Sequence, residues 1–195
     1  MKIDRLLLIQ LKEKYDTVSK VNWSTYLKLE KFLEVRTYPR NSIIKNFNEV
    51  ETHSRLVWKG VVTLHHLNNK GQSITRMVFC DGDNAFDFLS YVSQKPSPSL
   101  FLARNEVTCV ELRKDIEPMV LKQIPEIADL AIKINHEIIS KLYHWNTEIL
   151  SQPKADAYNA IMKMHKDLLI CLQVKDFQHM LGIGKSTIHR LRQSG

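Results

Sequence analysis

The apolar residues of this chain change period twice, and that change limits the architectures open to it. From Val35 to Leu112 they follow a two-residue period; from Pro125 to Ile149 they return every three or four residues. A period of two belongs to strands and a period near 3.6 to helices. Val35, Thr37 and Ile43-Ile44 form short strands around the turn Pro39-Arg40-Asn41-Ser42. Leu56 to Leu67 is a long strand region, with Gly60 inside it marking a bulge or a close backbone approach. Asn68-Asn69-Lys70-Gly71 is a hairpin turn, and Ser73 to Phe79 is the returning strand. Asp81-Gly82-Asp83 turns again, then Leu100 to Ala103 and Val107 to Leu112 close the set. Some six to eight short antiparallel strands joined by turns predict a roll, sandwich or barrel.

Helices flank these strands. Leu6, Leu7, Leu8 and Leu11 suggest a first helix; Asn22 or Ser24 can cap a second, with Trp23, Tyr26, Leu27, Phe32 and Leu33 as core. Pro125 suits the first position of a third. On it Ile127, Ala131, Ile134, Ile138, Leu142, Trp145 and Ile149 form an unbroken stripe. At 1.5 Å per residue that helix runs about 36 Å, longer than one small domain needs. Ile132 and Ile139 lie off the stripe and widen the apolar surface. One face is therefore expected to pack on the strands and another on a second subunit, making a homodimer through Ile127, Ala131, Ile134, Ile138, Leu142 and Trp145. The alternative is a helix buried wholly within one chain.

Ser151-Gln152-Pro153-Lys154 breaks the helical pattern as a hinge would. Ala157, Tyr158, Ile161, Met162 and His165 then form the first helix of a C-terminal domain, its apolar side turned to the remaining helices of that domain. Phe177, Met180 and Leu181 mark the apolar face of a short helix that Gly182 can end in the left-handed conformation. Ile183 plugs the turn, and a second helix starts after Gly184, held to the core by Ile188 and Leu191. This is a helix-turn-helix pattern. Lys185, Ser186, Thr187, His189, Arg190 and Arg192 are left for the second helix's other faces, where such a helix meets the major groove of DNA. Gly184-Lys185-Ser186-Thr187 also looks like the end of a phosphate-binding loop, but that motif needs a glycine at the place of His179 and a strand before it. A helical pair that merely closes a domain is the other alternative.

The net charge of +7 suits a polyanionic partner. Residues 151–195 hold seven Lys/Arg and three Asp, a net of +4, so the excess is enriched where the helix-turn-helix lies. Cys80, Cys109 and Cys171 are odd in number and far apart, which fits reduced thiols in a cytoplasmic protein and neither a disulfide framework nor a zinc site. The apolar run Leu6 to Ile9 is too short for a signal peptide, and no stretch could span a bilayer. His65 and His66 are adjacent in a strand and point to opposite faces, so with His53 they make a poor metal set. No metal or cofactor is expected. No Ser-His-Asp, paired-carboxylate or metal constellation supports an enzyme.

Strand roll, long helix and helix-turn-helix, in that order, resemble the bacterial Crp/Fnr family of transcription regulators. Trp58-Lys59-Gly60-Val61 is similar to that family's Leu-x-Gly-x strand, Asn69-Lys70-Gly71-Gln72 to its hairpin, and Asp81-Gly82-Asp83 to its Pro-Gly-Asp turn. Leu181-Gly182-Ile183 with Thr187 and Arg190 is similar to its Leu-Gly-x-x-x-x-Thr-x-x-Arg pattern. The resemblance implies an α+β chain: an N-terminal antiparallel β-roll (a jelly-roll-like double-stranded β-helix) over residues 1–124, a dimerisation helix over 125–150, and an all-α helix-turn-helix domain over 151–195. It also implies a cyclic nucleotide-binding-like effector domain, a palindromic double-stranded DNA operator and RNA polymerase as a further candidate partner.

The departures from the family concern the effector. Cyclic-nucleotide-binding members carry Gly-Glu-Leu and, ten residues past the Glu, Arg-Ser or Arg-Thr. Here Phe86-Asp87-Phe88 and Ser97-Pro98 stand at those places. Ser97 offers a hydroxyl where a phosphate needs a charged fork, and Pro98 has no N–H. The sensor is therefore either tuned to an effector other than cyclic AMP, with Phe86, Asp87, Phe88, Lys95, Ser97 and Ser99 as the candidate pocket residues, or has become a scaffold. The sequence thus predicts a homodimeric, effector-responsive DNA-binding regulator. Its rival is a small-molecule sensor with a degenerate DNA-binding domain that acts through a protein partner.

Overall fold

The computed structural model describes residues 2–193. Two helices open the chain, α1 (Arg5–Asp16) and α2 (Trp23–Leu29). Asp4 caps α1, its carboxylate accepting from the Leu7 amide at 2.8 Å. Seven antiparallel strands follow among the described residues: β1 (Glu34–Tyr38), β2 (Ile43–Lys45), β3 (His53–Lys59), β4 (Val62–Leu67), β5 (Ser73–Phe79), β6 (Ser99–Ala103) and β7 (Val107–Arg113), with the short helix α3 (Phe88–Ser93) between β5 and β6. They form two sheets, ordered β1-β7-β3 and β2-β6-β4-β5.

The expected strand from Leu56 to Leu67 is two strands in two different sheets. The chain crosses between them at Gly60, whose φ is +114°. A side chain there would place its first carbon 2.6 Å from the Glu106 carbonyl oxygen, so only glycine fits. Asp81 and Asn105 hold the crossing, accepting from the Gly60 and Val61 amides at 2.6 and 2.8 Å. The strands around the turn at Pro39 likewise part company: β1 pairs with β7 and β2 with β6. The Asn68–Gly71 turn does join β4 to β5 as a hairpin.

Between the sheets lies a core that includes Val57, Val61, Phe79, Phe101 and Cys109. The other face of β1-β7-β3 is also covered. Leu56 and Val110 meet Leu8 of α1, Tyr26 of α2, and Ile124 and Ile127 beyond. Leu27, expected in this core, instead faces solvent. A buried ion network closes one end of the sandwich: Arg55 donates to Glu51 at 2.7 Å and to Glu111 at 3.1 Å.

After α4 (Glu117–Gln123), α5 runs from Glu126 to His144 with Pro125 at its cap, and a π-helical turn, Trp145–Ile149, continues it. The stripe expected to form a dimer seam is largely used within the chain. Ile127, Ile138 and Trp145 are buried, and Ala131 and Ile134 half-buried. The π turn brings Trp145 and Ile149 onto the roll's own core, with the Trp145 indole donating to the Arg76 carbonyl at 3.2 Å. What α5 leaves uncovered is the other face: Ile132 (53% exposed), Ile139 (52%), Leu142 and Tyr143 (67%). Of the expected seam, Ile127, Ile138 and Trp145 are taken up within the chain, and Leu142 lies on the open face.

The break at Ser151 precedes α6 (Lys154–Met162), α7 (Leu168–Cys171), α8 (Val174–Leu181) and α9 (Lys185–Gln193). His165, expected in the first of these helices, lies beyond its end. Ala157, Tyr158, Phe177, Leu181 and Ile188 belong to one buried cluster with the strands, so these helices dock directly on the roll.

Candidate functional site

A cleft of about 930 Å³ opens between the β2-β6-β4-β5 sheet, the segment leading into α3, and α5. Phe86, Asp87, Phe88, Ser97 and Ser99 all line it. Lys95 does not: it sits exposed beyond α3, and only its backbone is engaged, accepting from the Ser90 hydroxyl at 2.6 Å. The lysine that meets Asp87, Ser97 and Ser99 is Lys45 of β2, only 3% exposed. Its ammonium donates to Ser97 Oγ at 2.6 Å, the Ser99 carbonyl at 2.9 Å and Asp87 at 3.4 Å. An ammonium has three N–H groups, so Lys45 has none left for a ligand. Asp87 is equally engaged. One oxygen caps α3 by accepting from the Ser90 amide at 3.1 Å, and the other takes the Ser97 hydroxyl and Lys45. Burial pushes this carboxyl upward, but the hydrogen bonds from Ser97 and Ser90 outweigh it and hold Asp87 below the usual range.

Sequence patterning missed Lys45. Ile43-Ile44-Lys45 looks like a strand with its lysine in solvent, and only a register shift between Ile43 and Lys45 turns it inward. His66 also lines the cleft, its Nε2 3.0 Å from Ser99 Oγ; burial, then Arg76, lowers its pKa. His65 points the other way, as the strand period requires. Burial and Arg104 drive it down to about 4 against the opposing pull of Asp176. No group of three His, Cys, Asp or Glu placed to hold a metal ion occurs among the described residues. The thiols of Cys80 and Cys109 are pushed up to about 12 by burial, which leaves them unreactive.

The C-terminal helix pair is the second region of interest. Gly182 ends α8 in the left-handed conformation with φ +66°. Ile183 and Gly184 complete the turn, and Ile188 anchors α9 in the core with no exposure. Lys185, Ser186, His189 and Arg190 face solvent together, and Thr187 is half-buried beside them. Arg192, expected among these contacts, is turned inward. Its guanidinium lies 5.5 Å from the centre of the Phe177 ring and donates to the Leu172 carbonyl at 3.4 Å. Stacking on an aromatic face removes it from the outer row.

A polar clamp holds α8 against the roll. Asp176 accepts from Thr75 Oγ1 at 2.7 Å and pairs with Arg104 at 2.5 Å, while also capping its own helix through the Gln173 amide at 2.7 Å. His179 accepts from the Thr75 amide at 3.2 Å. Arg104 adds a bond to the Cys171 carbonyl at 3.2 Å. Nothing near Asp176 in sequence announces partners 72 and 101 residues away.

The chain matches no protein-family model and no curated protein. Solved structures do resemble it. A cyclic nucleotide-binding domain from Methylobacillus flagellatus superposes with a TM-score of 0.63 at 13% identity, over 81% of this chain and 84% of that one. The catabolite activator protein of Thermus thermophilus gives 0.55 at 15% identity, over 90% and 84%. The regulatory subunit of a cAMP-independent protein kinase A from Trypanosoma brucei gives 0.53 at 16% identity, over 83% of this chain, which spans only 52% of that subunit. At such identities the likeness is one of fold: antiparallel sheets and helices arranged as in cyclic nucleotide-binding domains.

Proposed function

We propose that this chain is a DNA-binding transcription regulator of the Crp/Fnr type. It acts as a homodimer and responds to an effector other than cyclic AMP. The observation that carries the reading is the outer face of α9, where Lys185, Ser186, His189 and Arg190 stand clear of the core beside the Gly182–Gly184 turn. Helices so presented place N-terminal side chains against base edges and cationic ones against phosphates. Arg190 is the base reader, able to take guanine O6 and N7 together; Lys185 contacts phosphate. Two copies related by a two-fold axis would read half-sites about 34–36 Å apart. The exposed apolar side of α5, at Ile132, Ile139, Leu142 and Tyr143, supports the second copy. RNA polymerase is a candidate further partner. The fold shared with the catabolite activator protein supports the effector-domain part of this reading.

One observation favours a second reading. The Asp176–Arg104–Thr75 clamp fixes α8 to the roll, as suits a sensor whose C-terminal helices report to a protein partner and no longer to DNA. Selection of duplexes from a random pool with the purified chain decides between the two. Enrichment of a palindrome supports the regulator, and no enrichment with or without candidate effectors supports the sensor.

A further inference from the structure

The cleft beside α5 differs from an anion site in three independent ways. Its walls are mainly apolar: Phe79, Phe101 and Met77 on the sheet side, Phe86 and Phe88 near α3, and Ile138 on the helix. The rings form loose pairs, Phe79 with Phe101 at 5.9 Å and Phe86 with Phe88 at 6.3 Å. Next, the polar groups at the Ser97 end of the cleft are closed on one another. All three Lys45 donors and both Asp87 oxygens have partners within the protein, and Pro98 offers no amide. Third, its charges do not favour an anion: the lining holds two lysines, Lys14 and Lys141, against three acids, Asp83, Asp87 and Glu137, and Lys141 is already paired with Asp83.

We propose that this cleft binds an uncharged, aromatic-rich small molecule rather than a nucleotide or any other anion. Such a guest needs no donors from Lys45 and covers apolar side chains that water now reaches, among them Leu89 (77% exposed), Ile139 and Leu142. The His66–Ser99 pair offers a polar handle that suits one hydroxyl or carbonyl on the guest. An anion would instead enter a mainly apolar space whose three lining carboxylates, Asp83, Asp87 and Glu137, outnumber its two lining lysines. The guest would touch Ile138 and, beside it, Ile139 and Leu142, which belong to the face of α5 assigned above to the second copy. Only the role of effector rests on the regulator reading; the binding does not.

The test uses the full chain and three probes: uncharged N-phenyl-1-naphthylamine, its anionic relative 8-anilinonaphthalene-1-sulfonate, and cyclic AMP. The uncharged probe should bind one per chain and at least about tenfold more tightly than the sulfonate, with millimolar cyclic AMP failing to displace it. Leu64→Arg, which brings a charge into the cleft, should weaken the uncharged probe by about tenfold or more. Leu89→Arg alters an exposed position and leaves the core intact, so it keeps the test open if Leu64→Arg does not fold; it should weaken binding several-fold. Equal affinity for the sulfonate, displacement by cyclic AMP, or indifference to both substitutions overturns the assignment. So does probe affinity that falls as protein concentration rises, because a second copy then covers the cleft. Duplex binding is measured alongside: its loss with probe selectivity intact removes the regulator reading alone, and the reverse result removes the cleft assignment alone.

Discussion

Replacing Asp176 with alanine should loosen the C-terminal helices from the roll. The carboxylate serves three groups at once: Arg104 at 2.5 Å, the Thr75 hydroxyl at 2.7 Å and the Gln173 amide at 2.7 Å. Its loss leaves Arg104 buried with only the Cys171 carbonyl to answer it. Breaking a buried pair from one side costs about 3–5 kcal/mol, most of it the uncompensated charge; a lost hydrogen bond or helix cap adds about 1 kcal/mol when counted alone. We expect a total of about 4–6 kcal/mol, hence a fall in Tm of about 8–24 °C for a chain of this size. Arg104→Met should be milder, because Asp176 keeps Thr75 and the cap. The double variant should then lose about 1–3 kcal/mol less than the sum of the single changes. Urea unfolding of the four proteins measures the cycle, and hydrogen exchange should quicken first in α8 and β5. A loss below about 1 kcal/mol for Asp176→Ala, or additivity within about 0.5 kcal/mol, refutes the clamp.

Three further expectations concern His65, Gly60 and α5. His65 titrates near 4 in the folded chain, below the ordinary 6.5; the unfolded chain therefore takes up its proton first, and stability should fall by up to about 3 kcal/mol as pH drops from 6.5 towards 4. Denaturant midpoints across that range should decline less steeply in His65→Gln, and an unchanged slope contradicts the assignment. Gly60→Ala forces a side chain to within 2.6 Å of the Glu106 carbonyl at a φ of +114°, so it should cost more than about 2 kcal/mol in urea unfolding, against near-neutrality if the crossing were slack. Ile139→Lys should shift the sedimentation of a dimer to that of a folded monomer, whereas Ile127→Lys, at a residue of the helix-side core, should destabilise the fold itself; a wild type already monomeric at micromolar concentration refutes the interface.

Local chemistry made much of this molecule legible in the sequence. The hairpin at Asn68–Gly71, the strand Ser73–Phe79 and the left-handed end of α8 at Gly182 each follow from a few adjacent residues. Gly60 marked a close approach, but not that the chain would change sheets there, because that depends on Glu106 and Asn105, more than forty residues on. The stripe on α5 was legible as apolar and not as to what it meets: α1, α2 and β-sheet residues claim Ile127, and the π turn sends Trp145 back to the roll. Lys45 and Asp176 were illegible for the same reason. Each looks like an ordinary surface charge until partners 42 to 101 residues away are brought beside it. Arg192 shows the opposite failure, a cation assigned to the outer face that Phe177 draws inward.

The regulator reading is tested most directly by fluorescence anisotropy on a selected duplex and its scrambled counterpart at several salt concentrations. Arg190→Ala should cost about 1–3 kcal/mol on the selected duplex and flatten discrimination at one base pair. Lys185→Ala should weaken both duplexes alike and lower the salt slope by about one. Arg192→Ala, already turned inward, should change neither the discrimination nor the slope. Charge alone could bind any duplex at low salt, so the decisive quantity is preference that survives added salt. A salt-resistant preference lost in Arg190→Ala is the predicted result; equal binding of both duplexes at every salt concentration, with the cleft empty or filled, contradicts it.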